Sequence, residues 1–109
     1  MHIRLVKSDK KRFLDLLLLA DEQESMIDRY IERGDLFVME EKDEAKAVAV
    51  VTREGQGVYE LKNLAVAPAC QRKGYGRIMV EHVWHYYADC RTLLVGTGDS
   101  PLTLPFYHS

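Results

Sequence analysis

The segment over residues 58–77 constrains the fold of this chain more than any other stretch of the sequence. Val58–Val66 predicts a β-strand, which Pro68 ends because proline cannot donate a hydrogen bond to a strand ladder. A short loop follows, and a helix is expected to begin near Gly74, where apolar residues start to recur at helical spacing. A strand that leads through a loop into a helix needs a sheet on which the helix can pack, so the chain is expected to combine helices with a sheet.

Apolar periodicity and turn residues predict the other elements. Strands are expected over residues 2–7, Asp35–Glu41, residues 45–53 and Thr92–Thr97, and helices after Ser8 or Asp9, over residues 22–33 and from Gly74. A last helix is expected to begin at Ser100 and Pro101, or else at Pro105. The order β-α-α-β-β-β-α-β-(α) describes a single α+β domain over residues 1–109 with a mixed sheet. Because a crossover helix joins the last two strands, they are expected to run parallel.

Composition and charge exclude several classes of function. With 47% hydrophobic and 29% charged residues, the chain is expected to be a soluble globular domain. Its net charge of −2 disfavours a nucleic-acid partner. The apolar run over residues 13–20 is too short to cross a bilayer, and no signal-peptide pattern precedes it. Cys70 and Cys90 form no CxxC pair, so we expect free thiols, a cytoplasmic location and no membrane partner.

The charge is distributed unevenly along the chain. Residues 21–44 carry ten acidic and three basic residues, whereas residues 61–80 carry four basic residues and no acidic one. A basic island in an acidic chain favours an anionic ligand, although uneven surface charge alone also explains it. The acidic second helix either attracts a cationic ligand or is a solvated face.

The loop before the predicted third helix has the groups that an anion site needs. Gly74 and Gly76 let the backbone approach a ligand closely, and the unpaired amides of a helix start suit a diphosphate. Basic side chains lie nearby in the sequence, namely Arg72, Lys73 and Arg77. The plainer explanation for the two glycines is a turn residue followed by a helix-packing residue. Neither GxxxxGK[ST] nor a complete GxGxxG occurs, so the common nucleotide-binding loops do not fit.

The string Gln-Arg-Lys-Gly-Tyr-Gly over residues 71–76 resembles the Q/R-x-x-G-x-G/A motif of the GNAT superfamily of N-acetyltransferases. Residues 61–68 resemble the central strand of that family, and residues 105–109 resemble the start of its last helix, where a Phe-Tyr pair is usual. The predicted order of elements also agrees, so the resemblance covers nearly the whole chain. It implies a GNAT-like, mostly antiparallel mixed sheet whose parallel central strands splay apart.

The resemblance also implies acetyl-CoA as co-substrate and a place for it. The pantetheine arm would lie along the backbone of the central strand, and the diphosphate would lie on the amides of the glycine loop. The residues that would contact it are Leu64, Ala65, Val66, Gln71, Arg72, Lys73, Gly74, Tyr75, Gly76 and Arg77. A bulge, for which the polar break at Lys62 and Asn63 is suited, would splay the sheet and admit the thioester.

Two catalytic residues follow from the same resemblance. The acceptor amine would attack the acetyl carbonyl directly, with Glu60 removing a proton through a water molecule and Tyr107 protonating the departing thiolate. An amide near Leu64 or Ala65 would polarise the carbonyl. No metal is required. A metal site on His82, His85 and His108 is the less favoured alternative to exposed histidines that bind no ligand. Glu60 is alternatively a solvent-facing residue with a cross-strand partner, and Tyr107 a packing residue.

The expected function is therefore N-acetylation of a small-molecule or protein amine. The alternative hypothesis is a non-catalytic acyl-CoA-binding or interaction module of the same fold. A third hypothesis is an unrelated α+β scaffold. Family members normally continue into a further antiparallel strand pair, whereas this sequence ends at Ser109. Strand Thr92–Thr97 is therefore expected to expose an apolar edge, which a homodimer would cover. A shortened chain, a natural short form and completion by another chain are all open.

Overall fold

The computed structural model describes residues 2–97 and 100–103, which form one six-stranded sheet with helices on both faces. The strands are β1 (His2–Val6), β2 (Asp35–Glu41), β3 (Glu44–Gly55), β4 (Val58–Val66), β5 (Thr92–Thr97) and β6 (Ser100–Thr103), and the helices are α1 (Leu14–Ala20), α2 (Glu24–Ile27) and α3 (Tyr75–Tyr86). Neighbouring strands follow chain order, and β4–β5 is the parallel pair among antiparallel ones. The predicted α+β class and the parallel central pair are confirmed.

The two faces of the sheet bury separate apolar clusters. On β2, Phe37 and Met39 pack under α3, while Leu36 and Val38 pack under α1 and α2. This alternation is the two-residue period of a strand that is covered on both sides. All four side chains are fully buried, and each contributes roughly 1.5–3 kcal/mol to the free energy of unfolding.

A β-bulge interrupts β4 at Lys62. Val51 of β3 pairs with Leu61, and its neighbour Val50 pairs with Asn63, so Lys62 has no partner on β3. A bulge of this kind bends the strand and leaves one residue outside the ladder. The predicted bulge at Lys62 and Asn63 is confirmed.

The parallel pairing of β4 with β5 stops at this bulge. The ladder begins at Val58 and ends where Leu61 pairs with Val95. Residues 64–66 continue to pair with β3, but they pair with no strand on the β5 side in the part of the chain that the structure describes. The sheet is therefore open between its two central strands, as expected.

The second helix is shorter than expected. A helix was predicted over residues 22–33, whereas α2 ends at Ile27 and turns follow it. The backbone hydrogen bonds tighten at this point, because the Arg29 N–H donates to the Met26 carbonyl at 3.1 Å and the Tyr30 N–H to the Ile27 carbonyl at 3.1 Å, three residues back rather than four. The buried Lys10 binds the end of these turns, where its Nζ donates to the carbonyl oxygens of Ile31 at 2.9 Å and Gly34 at 2.8 Å.

The helix expected to begin at Ser100 and Pro101 is wrong, because these residues lie in β6. Pro101 pairs with Gly96 in an antiparallel ladder. Proline fits there because β6 is the last strand of the described sheet and its outer side needs no donor. The prediction that β5 exposes an edge is also wrong, because β6 pairs with that edge. The exposed edge of β5 therefore no longer supports the predicted homodimer. The alternative helix start at Pro105 lies outside the described residues.

Candidate functional site

The loop between β4 and α3 presents a row of free backbone donors. Gly74 has a φ of 80° and precedes the first turn of α3, where Ile78 N–H donates to the Gly74 carbonyl at 3.1 Å. The amides of residues 72–77 donate to no group in the described part of the chain. The Gln71 amide differs, because it donates to the Pro68 carbonyl at 3.4 Å. Free amides at the positive end of a 12-residue helix suit an anionic group.

The two glycines of the loop serve different purposes. A Cβ placed on Gly74 would meet nothing within 4 Å, so the space above this residue is open. A Cβ on Gly76 would lie 3.8 Å from Leu64 Cδ2 and Val66 Cγ2, which is ordinary contact. Gly74 therefore provides the left-handed turn under an open space, and Gly76 lies where α3 crosses β4.

Positive charge surrounds this open space. Arg72 and Lys73 are exposed and have no acidic partner among residues 2–97 and 100–103. Arg77 Nε lies 3.1 Å from Glu81 Oε1 one turn along α3. Arg72 also holds a φ of 67°, a left-handed conformation that is uncommon for a residue with a side chain. Two unpaired cations next to free amides form a site for a strongly anionic group.

A cavity of about 540 Å³ opens on the other side of the bulge, and we call it the charged cavity. Its lining residues come from the end of α1, from α2 and the turns after it, and from β4: Ala20, Asp21, Met26, Arg29, Tyr30, Arg33, Glu60 and Lys62. This volume lies within the usual range of small-molecule sites.

Glu60 and Lys62 contribute an ion pair to the charged cavity. Lys62 Nζ lies 3.1 Å from Glu60 Oε1, and the side chains are 24% and 22% exposed, respectively. The partner of Glu60 is thus a residue of its own strand rather than a cross-strand one. A partly exposed carboxylate in a cavity can accept a proton from a bound amine.

A buried hydrogen-bond chain fixes the wall of the cavity to the bulge. Asn63 Nδ2 donates to the Leu17 carbonyl at 3.0 Å and to the Tyr30 hydroxyl at 3.1 Å. The Tyr30 hydroxyl donates in turn to Asp21 Oδ2 at 3.2 Å. Burial raises the pKa of Tyr30 to about 12, so this hydroxyl stays protonated at neutral pH. Sequence reasoning missed this chain, and its one signal was a polar Asn63 within an apolar strand.

The predicted site residues lie along one continuous path on β4. Glu60 faces the charged cavity before the bulge, Leu64, Ala65 and Val66 follow on the open stretch, and residues 71–77 form the loop beyond it. Tyr107 and His108 lie outside the described residues. Sequence reasoning did not single out the cavity residues Arg29 and Arg33, and it counted Lys62 only as part of the basic island and of the expected bulge.

Two features are absent from the described residues, namely a metal-binding cluster and a membrane-spanning helix. No group of three or more His, Cys, Asp or Glu side chains is arranged there to hold a metal ion. His82 instead packs edge-on against Phe37, with 5.7 Å between the ring centroids, and burial lowers its pKa. None of the described helices has the length and apolar character needed to span a membrane.

The sequence has relatives of established family. Residues 32–109 match the family described as acetyltransferase (GNAT) domain. YvbK, an uncharacterized N-acetyltransferase from Bacillus subtilis strain 168, is 33% identical over 106 residues, which cover 94% of this chain and 67% of that protein.

Two solved structures resemble the chain at similar identity. A GNAT family acetyltransferase from Elizabethkingia anophelis, with acetyl-CoA bound, has a TM-score of 0.83 and 30% identity, covering 91% of this chain and 66% of that one. A Bacillus subtilis acetyltransferase in complex with CoA has a TM-score of 0.76 and 31% identity with the same coverage, 91% and 66%. The chain spans about two thirds of the length of these relatives. By its family match, its relatives and the fold it shares with them, the chain belongs to the GNAT acetyltransferase family.

Proposed function

We propose that the chain transfers an acetyl group from acetyl-CoA to a primary amine by direct attack within a ternary complex. The observation that carries this proposal is the end of the β4–β5 ladder at the bulge. It leaves an open strand edge between the free amides of residues 72–77 and the charged cavity. A thioester that lies along this edge would have its diphosphate at one end and an acceptor at the other.

The loop between β4 and α3 would bind the diphosphate, which is the anionic part of acetyl-CoA. A diphosphate needs several donors that converge without competing partners, and residues 72–77 offer such amides beside Arg72 and Lys73. The open space over Gly74 leaves room for the phosphate oxygens. The relatives from Elizabethkingia anophelis and Bacillus subtilis, which hold acetyl-CoA and CoA, support this assignment.

Residues 64–66, which follow the bulge, would bind the pantetheine arm and its thioester. Residues 64–66 pair with β3 and have no strand partner on the β5 side, so the pantetheine amides can pair with them as an added strand would. An amide near Leu64 or Ala65 would donate to the acetyl oxygen and stabilise the negative charge that develops on it.

The chemical step then needs one proton acceptor and one proton donor. An aliphatic amine has a pKa of about 10 and is mostly protonated at neutral pH, so it loses a proton before it attacks. Glu60 receives that proton through a water molecule, and the new C–N bond forms. The nitrogen releases its second proton to solvent as the C–S bond breaks. The thiolate leaves as CoA and takes a proton from Tyr107, the proposed donor, which regains a proton from solvent. The Lys62 ammonium beside Glu60 disfavours a second cation there and so favours the neutral amine.

The acceptor is a small amine or a single protein side chain, which the volume of the charged cavity favours over a large surface. The test is thiol release from acetyl-CoA with a panel of primary amines, repeated with acetyl-pantetheine, which lacks the diphosphate. We expect amine-dependent thiol release, with a KM for acetyl-pantetheine at least about tenfold higher because several charge-assisted hydrogen bonds are lost. Acetyl-CoA binding without thiol release from any amine would instead indicate a non-catalytic binding module.

A further inference from the structure

We infer that the acceptor amine also carries a carboxylate, and that Arg29 binds it in the charged cavity. This inference rests on the proposed function, because it names the class of amine that this site accepts. The observation behind it is the one cation of the cavity lining that has no acidic partner in the described part of the chain.

The charges of the cavity lining are three cations and two carboxylates. Lys62 is paired with Glu60 at 3.1 Å, and Arg33 Nη1 lies 3.4 Å from Glu54 Oε2, outside the lining. Arg29 forms no ion pair or hydrogen bond within residues 2–97 and 100–103, and it is exposed. Its guanidinium is therefore available to a ligand.

The lining of the cavity is richer in basic residues than the acidic segment from which part of it comes. Residues 21–44 carry ten acidic and three basic residues. Two of those three bases, Arg29 and Arg33, line the cavity, whereas Asp21 is the one acid of that segment in the lining. If the lining residues from this segment reflected its composition, acidic residues would outnumber basic ones in the cavity. A polycationic amine is disfavoured by such a lining, and an amine with its own negative charge is favoured.

The remaining lining residues fit the other parts of such a ligand. A guanidinium binds a carboxylate through two parallel hydrogen bonds, which fixes the direction of the ligand as well as holding it. Met26 and Ala20 provide apolar contact for a short hydrocarbon segment. The ammonium would then be directed to Glu60, beside the bulge where the thioester is proposed to lie.

Pairs of ligands that differ in one group test the inference. Calorimetry on the full chain with saturating CoA measures the binding of each amino acid and of its carboxamide. The amino acids are glycine, β-alanine, 4-aminobutanoate, 5-aminopentanoate and a set of α-amino acids. We expect that at least one acid binds tenfold or more tightly than its amide. In Arg29→Gln the acid and its amide should bind with equal affinity, and the affinity of the amide should equal that for the wild-type protein. Arg12→Gln is the control, since this exposed arginine stacks on Phe13 away from the cavity and should preserve the preference.

The outcomes separate the inference from the proposed function. Amides that bind as tightly as their acids, or a preference that survives in Arg29→Gln, would overturn the carboxylate assignment. The same ligands are then tested for thiol release from acetyl-CoA. Thiol release from amines without regard to a carboxylate leaves the transferase intact and refutes the inference. Arg29-dependent binding of an acid, with no thiol release from any amine of the panel, would keep the carboxylate site at Arg29 and refute the transferase.

Discussion

The Lys62 ammonium lies 3.1 Å from the Glu60 carboxylate, and both side chains line the charged cavity at the point where β4 leaves its ladder with β5. The carboxylate proposed to take the proton of the acceptor is therefore already paired with a cation. In the proposed mechanism, an incoming ammonium would displace Lys62 from Glu60, and the displaced lysine would then disfavour the protonated form of the amine. Recognition of the amine and its loss of a proton would in this way be coupled at one ion pair.

Replacement of Glu60 by glutamine should lower turnover without weakening acetyl-CoA binding. The amide keeps the shape of the side chain but cannot accept a proton, and general-base catalysis typically contributes about 10²- to 10⁴-fold to the rate. Thiol release gives the turnover and calorimetry gives the dissociation constant of acetyl-CoA. Glu41→Gln is the matched control, because Glu41 lies at the end of β2 outside the cavity. Equal turnover in Glu60→Gln and wild type would show that Glu60 is not the base.

Replacement of Gly74 by alanine should weaken acetyl-CoA binding by at least about tenfold, because the added Cβ would project into the open space proposed for the diphosphate. The φ of 80° also makes the substitution strained, which costs about 1–2 kcal/mol of stability. Calorimetry with acetyl-CoA measures the first effect and urea unfolding the second. Gly55→Ala is the control for affinity, since its nearest neighbour for a Cβ is Val58 at 3.8 Å, far along the sequence from the loop. Unchanged acetyl-CoA affinity would refute the diphosphate site.

The sequence predicted those elements whose signals are local. Asp35–Glu41, Val58–Val66 and Thr92–Thr97 have the predicted bounds, because each is an apolar run bounded by residues that break a strand. The resemblance implied a bulge in this strand, and the polar break at Lys62 and Asn63 gave its place. The glycine loop is likewise local, since its geometry follows from a helix start and a positive φ at Gly74.

The elements that were predicted wrongly depend on distant partners. The turns that replace the expected second half of α2 are held by Lys10, which lies 21 residues before the Ile31 carbonyl that it binds. The strand β6 forms because it pairs with β5, and Pro101 on its own indicated a helix start instead. The charged cavity was missed for the same reason, because Asn63 reaches Tyr30 across 33 residues of sequence.

Replacement of Lys10 by methionine should destabilise the fold by about 2–4 kcal/mol, because it removes a buried ammonium that donates to three carbonyls. These are the carbonyls of Ile31, Glu32 and Gly34, at 2.9, 3.2 and 2.8 Å. Urea unfolding measures the change. Lys11→Met is the matched control, since this neighbouring lysine forms only exposed ion pairs, which contribute little. A loss of stability equal to that of the control would mean that these carbonyls find other donors.

Replacement of Tyr30 by phenylalanine should give a loss of stability that shrinks as the pH rises. At about pH 8 the variant lacks the hydrogen bonds to Asp21 and from Asn63, which costs about 1–3 kcal/mol. Burial raises the pKa of Tyr30 from 10.0 to about 12, so the folded protein binds this proton more tightly than the unfolded chain does. The stabilisation from Tyr30 is therefore complete below the unfolded pKa and is lost as the pH rises through the folded one. Urea unfolding of both proteins at intervals between about pH 8 and pH 12 measures the difference, with exposed Tyr86→Phe as control. A wild-type advantage that stays constant over this range would show that the Tyr30 hydroxyl titrates alike in the folded and unfolded states, so that burial in the cavity wall would not raise its pKa.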